Sequence, residues 1–254
     1  MCCPGNMDRL LETRPCIGAP PVFSERIALA RGEASTGVTI ILASASPRRE
    51  ALLTQIGLPF RVEPSSVSEE KARRSVLQLR RCAVCEFVEQ TALAKAEDVA
   101  ARVGDGLVLS ADTVVVIGRS VLGKPASSSE ARRMLERLSG ATHRVYTGLA
   151  LVRVRRGRCA ACGRCAACGR IVKRRTAHEM TRVTMRRLRP RDIAGYVATG
   201  EPLDKAGAYG IQGRGAVLVE RIEGDYFNVV GLPLARLAEM MEDFGIHIWQ
   251  GARV

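Results

Sequence analysis

Aromatic side chains are scarce: they make up 4% of the 254 residues, and Trp249 is the only tryptophan. Single strands of nucleic acid are held by stacking on aromatic rings, and the chain offers few. No apolar run reaches the roughly 18 residues that span a bilayer. No basic stretch followed by an apolar one opens the chain, so no secretory leader is expected. A soluble, cytoplasmic protein with no membrane partner is the expectation. Without a secretory route, nine cysteines are not a disulfide framework, and reduced thiols or a metal site remain. The three histidines, His143, His178 and His247, are too dispersed to form a ligand cluster.

What is abundant is positive charge. The formal net charge is +13, which suits polyanionic partners such as nucleic acid or a substrate with several phosphates. From Arg153 to Arg175 there are nine Lys and Arg residues and no acid. A concentrated run of this kind reads as a solvated face or loop, so nucleic acid is disfavoured as a partner.

Residues 1–37 are interrupted by Pro4, Pro15, Pro20 and Pro21 and are expected to be a disordered extension. A folded domain is expected over 38–250. Val38 to Ala43 is an apolar, β-branched run, hence a buried strand. Ser46 and Pro47 read as N-cap and first residue of a helix that ends at Gly57. A second helix covers roughly 85–101. Leu107 to Ser110 reads as a strand ending at Ala111-Asp112-Thr113, with Val114 to Ile117 still extended. Ser127 and Glu130 fit a capping box, and Ala131, Met134, Leu135 and Leu138 follow at helical spacing. Val145–Val154 and Met180–Leu188 have the pattern of long antiparallel strands joined by a basic, cysteine-rich insert at about 155–177. Arg191–Val197 is a short helix, Ala216–Ile222 and Tyr226–Val230 are strands, and Leu234 to Met241 marks the last helix. Strands and helices mix without strict alternation. The expected class is therefore α/β, with a mixed, curved central sheet flanked by helices.

Four groups of residues could carry chemistry. Two arginines, Arg48 and Arg49, sit in the first turn of a helix beside Ser44 and Ser46. Cations are unfavourable there for the helix alone, but they make sense if an anion lies between them and the helix amides. Asp112, at the expected end of a strand, could hold Mg²⁺ or orient a water, or could simply sit in a turn. Lys95, Lys124 and Lys205 could neutralise phosphate oxygens, or be ordinary surface lysines. In Gly207-Ala208-Tyr209-Gly210-Ile211-Gln212-Gly213 the glycines allow close backbone approach, and Gln212 carries both donor and acceptor for a base edge.

Taken in order, these blocks resemble the Maf family, septum-formation-protein-like nucleotide pyrophosphatases. The resemblance runs through Leu42-Ala43-Ser44-Ala45-Ser46-Pro47-Arg48-Arg49, Ser110-Ala111-Asp112-Thr113-Val114-Val115, Gly123-Lys124-Pro125, Leu138-Ser139-Gly140 and His143-Arg144-Val145-Tyr146-Thr147-Gly148. It continues through Gly200-Glu201-Pro202-Leu203-Asp204-Lys205 to Gly213, and Val229-Val230-Gly231-Leu232-Pro233-Leu234. It implies a two-lobed fold similar to inosine triphosphatases, dimeric assembly, and hydrolysis of dTTP and UTP to monophosphate and pyrophosphate. By the same resemblance Asp112 is the catalytic acid residue that activates water. Arg48, Thr113 and Gln212 match the positions that set base preference. Ser44, Arg49, Lys95, Lys124 and Lys205 match phosphate-handling positions. A divalent cation, Mg²⁺ or Mn²⁺, is implied on Asp112 together with Glu70 or its neighbour Glu69. The competing readings are a basic nucleic-acid-binding protein and a non-catalytic cell-division regulator; intact Arg48, Asp112, Lys124 and Gln212 argue against the latter.

The insert departs from the family pattern. Cys159, Cys162, Cys165 and Cys168 are spaced by three, a count that suits zinc or an iron–sulfur cluster. The unit Gly-Arg-Cys-Ala-Ala-Cys repeats perfectly, and so short a spacing leaves little chain to wrap an ion. Both features argue against metal at the insert, although Cys82 and Cys85 form another Cys-x-x-Cys that could contribute.

Overall fold

The computed structural model describes residues 38–67, 81–157 and 169–249. Among these, seven strands form one mixed sheet in the order β2-β1-β3-β5-β6-β7, with β4 pairing a second stretch of β3. The strands are β1 (Ile40–Leu42), β2 (Phe60–Val62), β3 (Gly106–Ile117), β4 (Ser120–Leu122), β5 (Thr142–Arg156), β6 (Gly169–Met185) and β7 (Val219–Glu223). β1 runs parallel to β2 and β3, and all other pairs are antiparallel. The helices are α1 (Pro47–Gln55), α2 (Arg81–Ala100), α3 (Ser128–Leu138), α4 (Pro190–Ala198), α5 (Tyr226–Val230) and α6 (Leu234–Glu242). The α/β class with a mixed sheet and flanking helices is thus observed. No helix among the described residues is long and apolar enough to cross a membrane.

Strand alternation decides which helix each face of β3 meets. Leu107, Leu109 and Ala111 point into a core with Leu52, Leu53, Leu237 and Met241 from α1 and α6. Val108 points to the opposite face with Ala92, Ala96 and Val99 of α2, as do Val114 and Val116 with Val88. Gly148 of β5 lies opposite Asp112. A Cβ on Gly148 would stand 2.2 Å from the Val88 backbone, so glycine is what lets α2 lie directly on the sheet there.

Local signals place most ends. α1 starts with Pro47 at its first position, and Gly57 follows it with φ +69°. The Ser127 hydroxyl accepts from Glu130 N at 3.2 Å. The reciprocal bond of the expected capping box is moved one residue back: Glu130 Oε2 accepts from Ala126 N at 2.7 Å.

Three expectations are corrected. β3 does not end near Asp112; it runs unbroken to Ile117 because β5 pairs with it along its length. Residues 226–230 are helical, not a strand. The Asp225 carboxylate caps that turn by accepting from Phe227 N at 2.7 Å. Buried Asn228 fixes the turn by donating to Val145 O and Thr181 Oγ1 at 3.1 and 2.9 Å. These bonds override the β preference of Tyr226, Phe227, Val229 and Val230. The strand expected at 216–222 begins only at Val219, since 213–218 form 3₁₀ turns.

Candidate active site

The sheet opens at its middle. β1 covers one edge of β3 only over Leu107–Leu109, and β4 covers the same edge only over Val115–Ile117. Between them, no strand among the described residues covers residues 110–114 on that edge. The chain leaving β1 closes the lower end of the gap with Ala43 N donating to Leu109 O at 2.7 Å. A cavity of about 350 Å³ occupies the opening, a volume within the usual range for small-molecule sites. It is lined by Ser44, Ser46, Pro47, Arg48 and Arg49 after β1, by Thr113 in the gap, and by Lys124 after β4. Lys95 of α2 and the Asp204–Gln212 segment complete the wall. Residues far apart in sequence therefore converge where two neighbouring strands stop, which is where open α/β sheets place ligands.

The first turn of α1 faces this cavity, and Ser46 makes no side-chain cap bond. Pro47 has no N–H, and the Arg49 and Glu50 amides donate to Ser46 O, so it is chiefly the helix dipole that favours an anion there. Arg49 is 9% exposed. Its guanidinium donates to Gly231 O, Ser44 Oγ and Thr113 Oγ1 at 2.8, 2.9 and 3.2 Å. It thus ties α1, β3 and the turn after α5 together as part of the cavity wall. Thr113 Oγ1 also meets Thr147 Oγ1 at 3.0 Å. Arg48 is more exposed and bonds Asp204 Oδ2 at 3.2 Å, while Lys205 Nζ lies 2.7 Å from Asp204 Oδ1.

Asp112 and Thr113, adjacent in sequence, point to opposite faces of β3. Asp112 is 1% exposed and does not line the cavity; its Oδ1 accepts from Lys95 Nζ at 2.7 Å. Lys95, 5% exposed, does line the cavity. Asp112 Oδ2 is buried with no hydrogen-bond partner. A buried carboxylate oxygen left unmatched is costly and is commonly reserved for a ligand, ion or water. Ser44, Arg48, Arg49, Lys95, Thr113, Lys124, Lys205 and Gln212 are thus brought to one cavity, with Asp112 immediately behind Lys95. Glu70 and Cys159, Cys162, Cys165 and Cys168 lie outside the described residues. Among the described residues no group of three or more His, Cys, Asp or Glu side chains could hold a metal ion by itself.

The fold and this convergence coincide with a family match over residues 39–244 to the model described as Maf-like protein. The chain belongs to the Maf-like family. Curated Maf-like relatives include the dTTP/UTP pyrophosphatase of Moorella thermoacetica, 52% identical, with 83% of this chain and 97% of the relative covered. The dTTP/UTP pyrophosphatase of Symbiobacterium thermophilum is 47% identical over 84% and 97%. That of Gloeobacter violaceus is 46% identical over 82% and 96%.

The basic hairpin of β5 and β6 is only partly an open cationic surface: Arg155, Arg156 and Arg170 are exposed, but other cations of the hairpin are paired. Arg153, Arg174 and Arg175 pair with Asp105, Glu97 and Asp243 at 3.4, 2.6 and 3.1 Å. Lys173 donates to Asp243 O and sits over the Phe244 ring. These pairs weaken the nucleic-acid reading.

One histidine matters without touching the cavity. His143 is 1% exposed, and its Nε2 shares a 2.7 Å hydrogen bond with the hydroxyl of Tyr209, which does line it. Burial pushes the His143 pKa down to about 4, whereas an unfolded histidine titrates near 6.5. Since the folded value is depressed, this contribution is complete above pH 6.5 and is lost as pH falls towards 4. Between pH 6.5 and 5 the wild-type chain should lose about 2 kcal/mol of stability from this group. Urea unfolding of wild type and His143→Gln at pH 7 and 5 measures it. Equal acid-induced losses in both proteins would remove His143 from the account.

Proposed function

We propose that this Maf-like chain is a nucleoside triphosphate pyrophosphatase that hydrolyses dTTP and UTP to the monophosphate and pyrophosphate. The observation that carries the reading is the convergence of Arg48, Lys95, Lys124, Lys205 and the N-terminus of α1 on one cavity, with Asp112 paired to Lys95 behind it. The names of the relatives supply the substrate class.

Phosphoryl chemistry of this kind is mostly positioning and charge stabilisation. The N-terminus of α1 and the cations grip the triphosphate, while Lys95 neutralises oxygens nearest the α-phosphorus. Water attacks that phosphorus, the bond to the bridging oxygen breaks, and pyrophosphate leaves against Lys124 and Lys205. Asp112 stands behind Lys95 rather than on the cavity wall, so it takes the attacking water's proton only as the Lys95 ammonium shifts to the phosphates, and returns it to solvent. A carboxylate alone is a weak base towards water, so help is expected. The buried, unmatched Asp112 Oδ2, together with Glu70 or Glu69, would be the group to hold a Mg²⁺ or Mn²⁺ ion. Such a cation would neutralise phosphate charge and lower the cost of deprotonating water. On the nucleoside side, Gln212, Arg48 and Thr113 would read a pyrimidine.

The test is pyrophosphate release from dTTP, UTP, CTP, dATP and GTP with Mg²⁺, Mn²⁺ or neither. dTTP and UTP should be turned over fastest, and only with a divalent cation. Salt-sensitive binding to random RNA with no triphosphate hydrolysis would overturn the proposal.

A further inference from the structure

The segment that carries Gln212 to the cavity is held from behind by residues that do not line it. Glu201, at the start of the 3₁₀ turns after α4, accepts from Arg214 N at Oε2 and from Gly215 N at Oε1, at 3.0 and 3.2 Å. The Tyr196 hydroxyl of α4 donates to Glu201 Oε1 at 3.0 Å and accepts from Gly210 N at 3.2 Å. Gln212 is therefore bracketed: Gly210 on one side and Arg214 and Gly215 on the other are tied to one hydrogen-bonded pair.

The fit leaves no slack. Gly213 has φ +66°, and a Cβ there would stand 3.1 Å from the Glu201 carboxylate. A Cβ on Gly215 would stand 2.4 Å from Gly210 O and 2.5 Å from the Tyr196 hydroxyl. Ala208, upstream in the same segment, is held at φ +60°, a conformation that costs a non-glycine residue energy and persists only where surrounding contacts impose it. Gln212 itself is exposed and lines the cavity. Glu201 also reaches the phosphate side, since its backbone carbonyl accepts from Lys205 Nζ at 2.7 Å.

An amide discriminates uracil from cytosine only if its orientation is fixed, because a half-turn exchanges its donor and acceptor. We propose that Glu201, acting with Tyr196, is a positioning residue for base selection: it fixes the backbone on both sides of Gln212 without touching nucleotide. This rests on the reading above that Gln212 faces the base. The Glu201 carboxylate bonds the backbone at the base end, whereas its hydrogen bond from Lys205 runs through its backbone carbonyl and its charge adds only a weaker attraction to that lysine. Changing the side chain should therefore alter base preference and leave the phosphate grip intact.

The experiment compares wild type with Glu201→Ala, Glu201→Gln and Tyr196→Phe. Three quantities are read: the UTP-to-CTP ratio of kcat/KM, the UMP-to-CMP ratio of Kd by calorimetry, and inhibition by inorganic tripolyphosphate, with folding checked by circular dichroism. Losing one well-placed hydrogen bond corresponds to about tenfold. Glu201→Ala should lower both ratios by about that factor, with a smaller fall in Tyr196→Phe and an intermediate one in Glu201→Gln. Tripolyphosphate inhibition should stay within about twofold of wild type. Unchanged ratios in the folded variants would overturn the inference, as would an equal loss of UTP, CTP and tripolyphosphate binding, which marks a general strut. Should Glu201→Ala fail to fold, Tyr196→Phe decides, since its ring and packing remain. A wild type that releases no pyrophosphate refutes the pyrophosphatase reading instead, and the UMP and CMP arm still decides the role of Glu201.

Discussion

Asp112→Asn should lower kcat for dTTP by about 10²- to 10⁴-fold, the range of a lost general base, with KM little changed. Asparagine has the shape of aspartate, and its carbonyl oxygen can still accept from Lys95 Nζ, now 2.7 Å from Asp112 Oδ1. The fold should therefore persist, as circular dichroism would report, with a lowered melting temperature because the buried Lys95 ammonium loses its counter-charge. What disappears is the negative charge and the proton-accepting capacity of Oδ2, the buried oxygen with no partner. The split between kcat and KM separates two roles. If Asp112 served only to aim Lys95 at the phosphates, the variant would show a raised KM and weaker tripolyphosphate inhibition with kcat retained. Wild-type turnover of dTTP by Asp112→Asn would end any role for Asp112 in the reaction.

That sharper test was not available from the sequence, although most of the fold was. The strand at Ile40–Leu42, the Pro47 start of α1, the Gly57 stop and the apolar face of α3 are local signals, and local signals survive folding. Asp112 was misplaced relative to its strand because β3 is carried past it by β5, whose Gly148 lies opposite it 36 residues further on (148 − 112). The helix at Tyr226–Val230 was misread for a similar reason. Its β-favouring side chains were overruled by an Asp225 cap and by Asn228 bonds to two other strands.

For the site, residue identity was legible and residue relation was not. The resemblance pointed to Lys95 and Asp112 separately, yet nothing in a spacing of 17 shows that they form a buried pair. Arg48 and Arg49 looked equivalent in the first turn of a helix. A helix turns by about 100° per residue, and this sends one guanidinium to Asp204 at the rim and the other into the cavity wall. Glu201 and Tyr196 escaped notice because their contribution is to hold backbone amides, which leaves no mark on side-chain chemistry.

Lys95→Met should destabilise the folded chain by about 3–5 kcal/mol at neutral pH, the usual cost of removing one partner of a buried ion pair. Lys95 and Asp112 are 5% and 1% exposed, so neither solvent nor salt can replace the lost partner well. Methionine nearly matches the lysine stem in volume, so little of the effect comes from a cavity. The deficit arises on Asp112, whose Oδ2 is already unmatched and whose Oδ1 would lose the ammonium. Removing the charge altogether in Lys95→Met/Asp112→Leu should restore much of the loss, because well-packed apolar groups substitute for buried ion pairs at little cost. Urea unfolding of wild type, the single variant and the double variant at pH 7 provides the comparison. A single variant as stable as wild type, or a double variant no more stable than the single one, would mean that the Lys95–Asp112 contact carries no buried charge pairing.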